Sequence, residues 1–123
     1  MKQRVVGQYE MGHNCVQISL REGTGGEFYL IPQKGRVASI KLGADNDWMH
    51  VVNAFLHEAM ELEFERMSCR YEHGGYVGRD MSDFLFVASH PQFTEIVARV
   101  AELTATALPD VAKTWKQWRK EGK

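Results

Sequence analysis

The sequence predicts an α+β protein in which an N-terminal antiparallel sheet of three or four strands packs against three or four C-terminal helices. Residues 1–42 contain short stretches of alternating apolar and polar residues, separated by turns rich in Gly, Asn or Pro, which is typical of strands joined by hairpins. Residues 47–120 contain longer stretches whose apolar residues are spaced as on one helix face. We therefore expect residues 1–123 to form a single domain, with a strand-rich meander over 1–42 and a helical part over 47–120.

The predicted strands of the meander are short and closely spaced. Their connections are only a few residues long, and connections of this length favour hairpins between antiparallel neighbours. The first strand starts near Val5, and three more are predicted over residues 15–20, 27–31 and 36–42.

The helical part is divided by capping residues and prolines. Asn46 or Asp47 is placed to cap the first helix. Proline is tolerated in the first turn of a helix but not in its interior, so Pro91 and Pro109 each indicate a new helix. The four helices are predicted over residues 48 to about 67, from about 81 and carrying the apolar residues 84–87, from about 89, and from 109.

The composition argues against several classes of protein. The net charge is −1 and the pI about 6.5, so no overall field attracts nucleic acid or an anionic membrane. No apolar run approaches the roughly 18 residues of a membrane helix. Cys15 and Cys69 show neither a disulfide framework nor a metal-finger spacing. We therefore expect a cytoplasmic protein with reduced thiols and no membrane association.

The first predicted helix carries a cluster of residues that can bind a metal ion. His57 and Glu61 are four residues apart and therefore lie one above the other on the polar face of the helix. Glu58 falls at the border of that face, where it can reach a water bound to the ion. The opposite face is apolar and is predicted to enter the core through Trp48, Val51, Val52, Phe55, Ala59 and Leu62.

The segment His57-Glu58-Ala59-Met60-Glu61 resembles the His-Glu-x-x-His helix of the zincin metallopeptidases, with glutamate in place of the second histidine. In that superfamily a strand precedes the helix, as residues 36–42 do here, and the resemblance extends over about residues 36–90. It implies that His57 and Glu61 bind the metal and that Glu58 is the general base of a hydrolase. The expected cofactor is zinc or manganese, because carboxylates bind zinc but suit manganese or magnesium better.

The resemblance also implies a third metal ligand downstream of the helix, and the sequence leaves its identity open. The possible donors are His73, Asp80, Asp83, His90 and, on the same helix face, His50. Two of these have an alternative structural role, because His90 precedes Pro91 at a helix boundary and Asp83 can cap a helix.

A non-enzymatic function is the main alternative. In this interpretation His57, Glu61 and Glu65 are only the solvated face of an amphipathic helix, and the protein is an interaction module. Trp115, Trp118 and residues 84–86 then supply apolar anchors for a protein partner. A homodimer is compatible with a chain of this size. As a whole, the sequence also resembles small proteins of tailed bacteriophages and prophages.

A second enzyme class shares part of the carboxylate pattern. Glu58 and Glu61, together with Asp80 and Asp83, resemble the carboxylate pairs with which all-helical nucleotide pyrophosphohydrolases bind magnesium. The cores of those enzymes are helical throughout, whereas the first third of this chain is predicted to form strands. This difference argues against membership of that enzyme class.

Nucleic-acid binding is not favoured by the sequence. Basic residues near the C-terminus alternate with Trp115 and Trp118, and such residues can contact phosphate and stack on bases. Tryptophans three residues apart on a helix more often hold that helix against its own domain. The basic residues are Lys113, Lys116, Arg119, Lys120 and Lys123.

Overall fold

A computed structural model describes residues 2–31, 37–72 and 84–122 of the chain. The described residues have an α+β architecture, as the sequence predicts, with a four-stranded sheet, a two-stranded sheet and two helices. The elements are β1 (Gln3–Met11), β2 (Asn14–Arg21), β3 (Gly26–Ile31), β4 (Val37–Gly43), α1 (Trp48–Arg66), β5 (Arg70–Glu72), β6 (Phe84–Phe86) and α2 (His90–Glu121).

The four-stranded sheet is mixed, so the prediction of an antiparallel meander is wrong. Its order is β1-β2-β4-β3, and two antiparallel hairpins, β1–β2 and β3–β4, are joined by the parallel pair β2–β4. Strands β2 and β4 lie at the centre because each presents a fully buried apolar row, such as Ile18 and Ile40, to the helices. Strand β3, with Tyr29 half-exposed and Leu30 38% exposed, takes an edge.

Both helices cover one face of this sheet, with α1 over β3 and β4 and α2 over β1. The helices run antiparallel to each other. Trp48 contacts Trp115 at one end, with ring centroids 5.4 Å apart, and Arg99 Nη1 lies 3.5 Å from Glu63 Oε1 near the other. Within the described part of the chain, no helix is long and apolar enough to cross a membrane.

Helix α1 follows the sequence prediction closely. Asp47 caps it, since its side chain accepts a hydrogen bond of 3.0 Å from the backbone N–H of His50. Four of the predicted core residues, Val51, Phe55, Ala59 and Leu62, are buried. After the helix, Ser68 adopts a left-handed conformation with φ of 59°, and this turn leads the chain into β5.

The second predicted helix is replaced by a strand. Residues 84–86 form β6, which pairs antiparallel with β5 through Tyr71 and Leu85, while residues 81–83 lie outside the described residues. A short apolar run does not distinguish a strand from a helix by periodicity. Here the pairing with β5 decides in favour of a strand.

The third and fourth predicted helices form one continuous helix, α2, of 32 residues. Its start is as predicted, because Ser89 and Gln92 form a capping box and Pro91 lies in the first turn. Pro109 lies in the interior and does not begin a new helix. One apolar stripe continues past it, and this burial outweighs the lost backbone hydrogen bond, a penalty of about 3 kcal/mol. The stripe consists of Ile96, Val100, Leu103, Ala107, Val111 and Trp118.

The two C-terminal tryptophans hold α2 against the loop that precedes α1. The indole N–H of Trp115 donates to the backbone oxygens of Ala44 and Asn46, each at 3.2 Å. The indole N–H of Trp118 donates to Asp45 Oδ1 at 3.1 Å. Trp118 is 3% exposed, so it is an internal anchor and not a surface one.

Candidate metal centre

Three predicted site residues lie together on α1. His57, Glu58 and Glu61 each place one donor atom within 4.8 Å of the others. His57 Nε2 is 3.0 Å from Glu61 Oε2 and 3.8 Å from Glu58 Oε2. One imidazole and two carboxylates are a donor set suited to zinc or manganese. The close approach follows from the helix itself, because residues four apart share one face.

The three side chains differ strongly in exposure. The side chain of His57 is 64% exposed, whereas those of Glu58 and Glu61 are 10% and 16% exposed. Glu58 is therefore more buried than its predicted border position indicates. It packs on Gly26 at the start of β3, where a Cβ atom would lie 3.1 Å from Glu58 Cγ. A side chain at position 26 would therefore crowd the side chain of Glu58.

Burial changes the acidity of Glu58. Loss of solvent raises the pKa of its carboxyl group above the ordinary value of 4.5, and the negative charges of Glu61 and Glu27 raise it further. The nearby His57 and Arg70 oppose this effect. A carboxylate with a raised pKa is a stronger proton acceptor than an ordinary surface glutamate.

Arg70 is a site residue that the sequence analysis missed. Its Nε lies 3.4 Å from Glu61 Oε1, and its Nη1 donates to Glu65 Oε2 at 2.9 Å. Arg70 thus contacts one oxygen of Glu61 while the other oxygen faces His57. The turn at Ser68 returns the chain alongside α1, and no local sequence pattern indicates that this arginine reaches back to the helix.

Two cavities flank His57. One, of about 410 Å³, is mainly apolar and is lined by Asn53, Leu56, His57, Met60, Glu61, Phe64 and Phe86. The other, of about 330 Å³, is more polar and is lined by Thr24, Gly25, Gly26, Asn46, His50, Asn53, Ala54, His57 and Glu58. A molecule bound in the apolar cavity would therefore contact His57 and Glu61, and one bound in the polar cavity would contact His57 and Glu58.

The two proposed third ligands that the structure describes, His50 and His90, are not part of this cluster. His90 begins α2, and among the described residues the donor group consists of His57, Glu58 and Glu61 alone. His50 lines the polar cavity, but its Nδ1 contacts the capping carboxylate of Asp47 at 2.6 Å. The other three predicted donors, His73, Asp80 and Asp83, lie outside the described residues.

Comparison with known proteins finds no matching family model, no similar curated protein and no similar solved structure. The functional argument therefore depends on the chemistry of the donor residues and on the cavities beside them.

Proposed function

We propose that the protein is a metal-dependent hydrolase of a minimal zincin-like type that cleaves amide bonds. The observation that carries this proposal is the convergence of His57, Glu58 and Glu61 donor atoms within 4.8 Å. The cluster opens onto two cavities, so a substrate has access to it.

The three residues would have distinct roles. His57 Nε2 and Glu61 Oε2 would bind the ion. Arg70 would fix the orientation of the Glu61 carboxylate through its contact with the second oxygen. A bound divalent ion would polarise the substrate carbonyl and acidify a water molecule. Glu58 would accept a proton from that water as its oxygen adds to the carbonyl carbon. It would then return the proton to the amine nitrogen as the carbon–nitrogen bond breaks.

Metal binding tests the proposal directly. Calorimetric titration of the metal-stripped protein with Zn²⁺ and Mn²⁺ is expected to show about one bound ion per chain. His57→Ala and Glu61→Gln should each weaken binding by about 100-fold or more, because each removes a ligand. His13→Ala, which alters an exposed histidine in the β1–β2 turn, is the matched control and should bind like the wild type.

The same titration, repeated with a His90→Ala variant, tests whether His90 is a further metal ligand. If His90→Ala weakens binding as strongly as His57→Ala, His90 is the third ligand. If the wild-type protein binds neither ion and shows no change in melting temperature with them, the hydrolase proposal is wrong.

A protein-interaction module is the second candidate. Several large apolar side chains near the start of α2 are exposed, and exposed apolar patches commonly mark protein interfaces. The exposed residues are Leu85, Phe86, Val87, Phe93 and Val97. This function needs no metal, so the titration with Zn²⁺ and Mn²⁺ separates the two candidates.

A further inference from the structure

The solvent face of α1 lacks the charged side chains that such a face usually carries. Residues 48–57 contain no Asp, Glu, Lys or Arg, although an exposed helix face is ordinarily charged. Met49 is 72% exposed and Leu56 is 39% exposed, and the side chains of His50 and His57 are both more than half exposed. Depletion of charge around exposed apolar side chains is typical of the central part of a protein interface.

His50 is oriented for metal binding, but it lies outside the donor cluster of its own chain. Its Nδ1 lies 2.6 Å from Asp47 Oδ1, and a carboxylate at one imidazole nitrogen leaves the other free to face a metal ion. His57 is seven residues further along α1, a rise of about 10 Å, whereas zinc–nitrogen bonds are about 2 Å long. A second copy of the chain can present its His50 where the first copy cannot.

A two-fold axis brings these residues together. In an antiparallel pair of α1 helices with the axis next to Asn53 and Ala54, position 50 of one helix lies opposite position 57 of the other. The helix axes of such a pair are about 8–10 Å apart, so the partner's His50 comes within reach of an ion held by His57 and Glu61. The same axis keeps each flank of the helix together, so these three residues of both copies share one flank.

The opposite flank of α1 is apolar and complementary to itself. Under the same axis, the partner's Met49 lies level with position 58, between Leu56 and Met60. Those two residues line the apolar cavity of about 410 Å³, and methionine is a flexible side chain that fills irregular gaps. The partner therefore fills this cavity. The polar cavity on the β3 side of α1 still gives a substrate access to His57 and Glu58.

Asn53 obtains a hydrogen-bond partner at the axis. Asparagine is a poor helix former, yet Asn53 lies in the interior of α1. Its side chain makes no hydrogen bond within residues 2–31, 37–72 and 84–122. A carboxamide both donates and accepts, so two Asn53 side chains that face each other across the axis can bond to each other. An asparagine paired with its own copy favours one register of the two helices.

We infer that the protein forms a homodimer through the solvent face of α1, and that His50 of each copy is the third ligand of the ion held by His57 and Glu61 of the other. Three protein ligands leave one tetrahedral position open. The partner's Asp47 comes close to Glu61 in this arrangement, so the two carboxylates repel each other until a divalent ion balances them. Association is therefore weak without metal and strong with it. The inference rests on the proposed metal centre and not on hydrolysis.

Metal affinity that depends on protein concentration is the signature of a ligand supplied by a second copy. Titrations of the metal-stripped full-length protein with Zn²⁺ should show about 10–100-fold tighter binding at a protein concentration that permits dimers. Sedimentation velocity should show monomers without Zn²⁺ and dimers with it. Thermodynamic linkage makes the two effects reciprocal.

Matched variants separate the ligand from the interface. His50→Ala keeps the backbone N–H that Asp47 accepts from, but it should abolish Zn²⁺-dependent dimers and weaken Zn²⁺ binding by about 10–100-fold. Met49→Glu leaves every donor in place, puts a charge into the interface and should have the same two effects. Phe93→Glu is the control, since Phe93 is an exposed apolar residue of α2, and it should behave like the wild type. Circular dichroism verifies that each variant is folded.

A mixture of two defective variants tests the exchange of ligands directly. His50→Ala and His57→Ala should each bind Zn²⁺ weakly alone. A mixed dimer has one complete site, with His57 and Glu61 from the first chain and His50 from the second. The mixture should therefore recover tight binding of about one ion per mixed dimer.

The possible results are distinct. The inference is overturned, and the hydrolase proposal stands, if Zn²⁺ affinity is independent of protein concentration or if the mixture recovers no tight binding. Dimers that Phe93→Glu disrupts and Met49→Glu does not have the same meaning. Zn²⁺-dependent dimers with recovery in the mixture, but without hydrolysis of amides, support the inference and overturn the hydrolase proposal alone. A wild-type protein that binds neither Zn²⁺ nor Mn²⁺ overturns both.

Discussion

At the residue scale, the environment of Glu58 differs from that of a surface glutamate. It belongs to a helix with several glutamates, and the sequence places it at the edge of the polar face. The approach of β3 at Gly26 buries it. The cost of burying the Glu58 carboxylate outweighs the opposing effect of His57 and Arg70, which makes Glu58 a candidate for chemistry at the expense of stability.

The variant Glu58→Gln tests the proposed role of Glu58 in catalysis and the cost of its burial to stability. The pKa of Glu58 in the folded protein is raised above 4.5, so its stabilising contribution is complete below about pH 4.3 and is lost as the pH rises through the folded-state value. The variant should therefore melt at a higher temperature than the wild type at pH 7, and the difference should vanish near pH 4. Hydrolysis should fall by about 10²–10⁴-fold, the usual contribution of a general base.

Glu10→Gln is the control for this measurement, because Glu10 is an exposed glutamate of β1. A Glu58→Gln protein that melts below the wild type at pH 7 would contradict the account of Glu58.

At the scale of elements, the interface between α1 and α2 contains a buried ion cluster. Glu63 is 0% exposed and lies between Arg66 on its own helix and Arg99 on α2, with both arginine Nη1 atoms 3.5 Å from its oxygens. Burial raises the pKa of Glu63 and lowers the pKa of Arg66. Glu95 completes the cluster through its ion pair with Arg99.

Replacing one charged residue of this cluster should destabilise the protein more than replacing two residues of opposite charge. Arg66→Met leaves the Glu63 carboxylate with less compensation and should lower the free energy of unfolding by about 2 kcal/mol. The double variant Glu63→Met/Arg66→Met should recover most of this loss, because both buried charges are gone. Unfolding in urea, monitored by circular dichroism, measures the difference.

Arg21→Met is the matched control, since Arg21 is similarly buried and pairs with Glu27 outside the interface between the helices. Its loss should not be recovered by Glu63→Met. If Arg66→Met is as stable as the wild type, the cluster does not contribute to the pairing of α1 and α2.

At the scale of the whole molecule, two groups of acids act on stability in opposite directions. Burial raises the pKa of Glu58 and of Glu63. Hydrogen bonds lower the pKa of Asp45, Asp47 and Glu121, with donors from the Gly23 backbone, the His50 backbone and the Arg4 side chain respectively. The first group favours folding at low pH and the second at higher pH.

These opposing effects predict a maximum of stability in mildly acidic solution. The contribution of the acids with lowered pKa is complete above about pH 4.5 and is lost as the pH falls. The contribution of the two buried glutamates is complete below about pH 4.3 and is lost as the pH rises through their raised pKa. Melting temperatures measured from pH 3 to 8 should therefore peak at about pH 5. A continuous rise to pH 7 would contradict the dominance of the buried glutamates.

Local sequence patterns were sufficient to predict elements that bury one face and expose the other. The bounds, cap and apolar face of α1 could be predicted, because a single amphipathic period and an aspartate cap suffice to specify such a helix. The same period placed His57 and Glu61 on one face, since that relation is internal to the helix. The start of α2 near Ser89 could be predicted because Pro91 is tolerated in the first turn of a helix but not in its interior.

Tertiary structure decided the relations between elements. The parallel pairing of β2 with β4 depends on which strands are buried by the helices, and no turn sequence encodes that choice. The continuity of α2 through Pro109 depends on an apolar stripe that the β-sheet and α1 cover. The burial of Glu58 depends on β3, which is distant in sequence. The return of Arg70 to Glu61 depends on the turn at Ser68 and on the pairing of β5 with β6. The residues of the site were therefore set by local sequence, whereas their pKa values, partners and cavities arise only when the sheet and helices pack together.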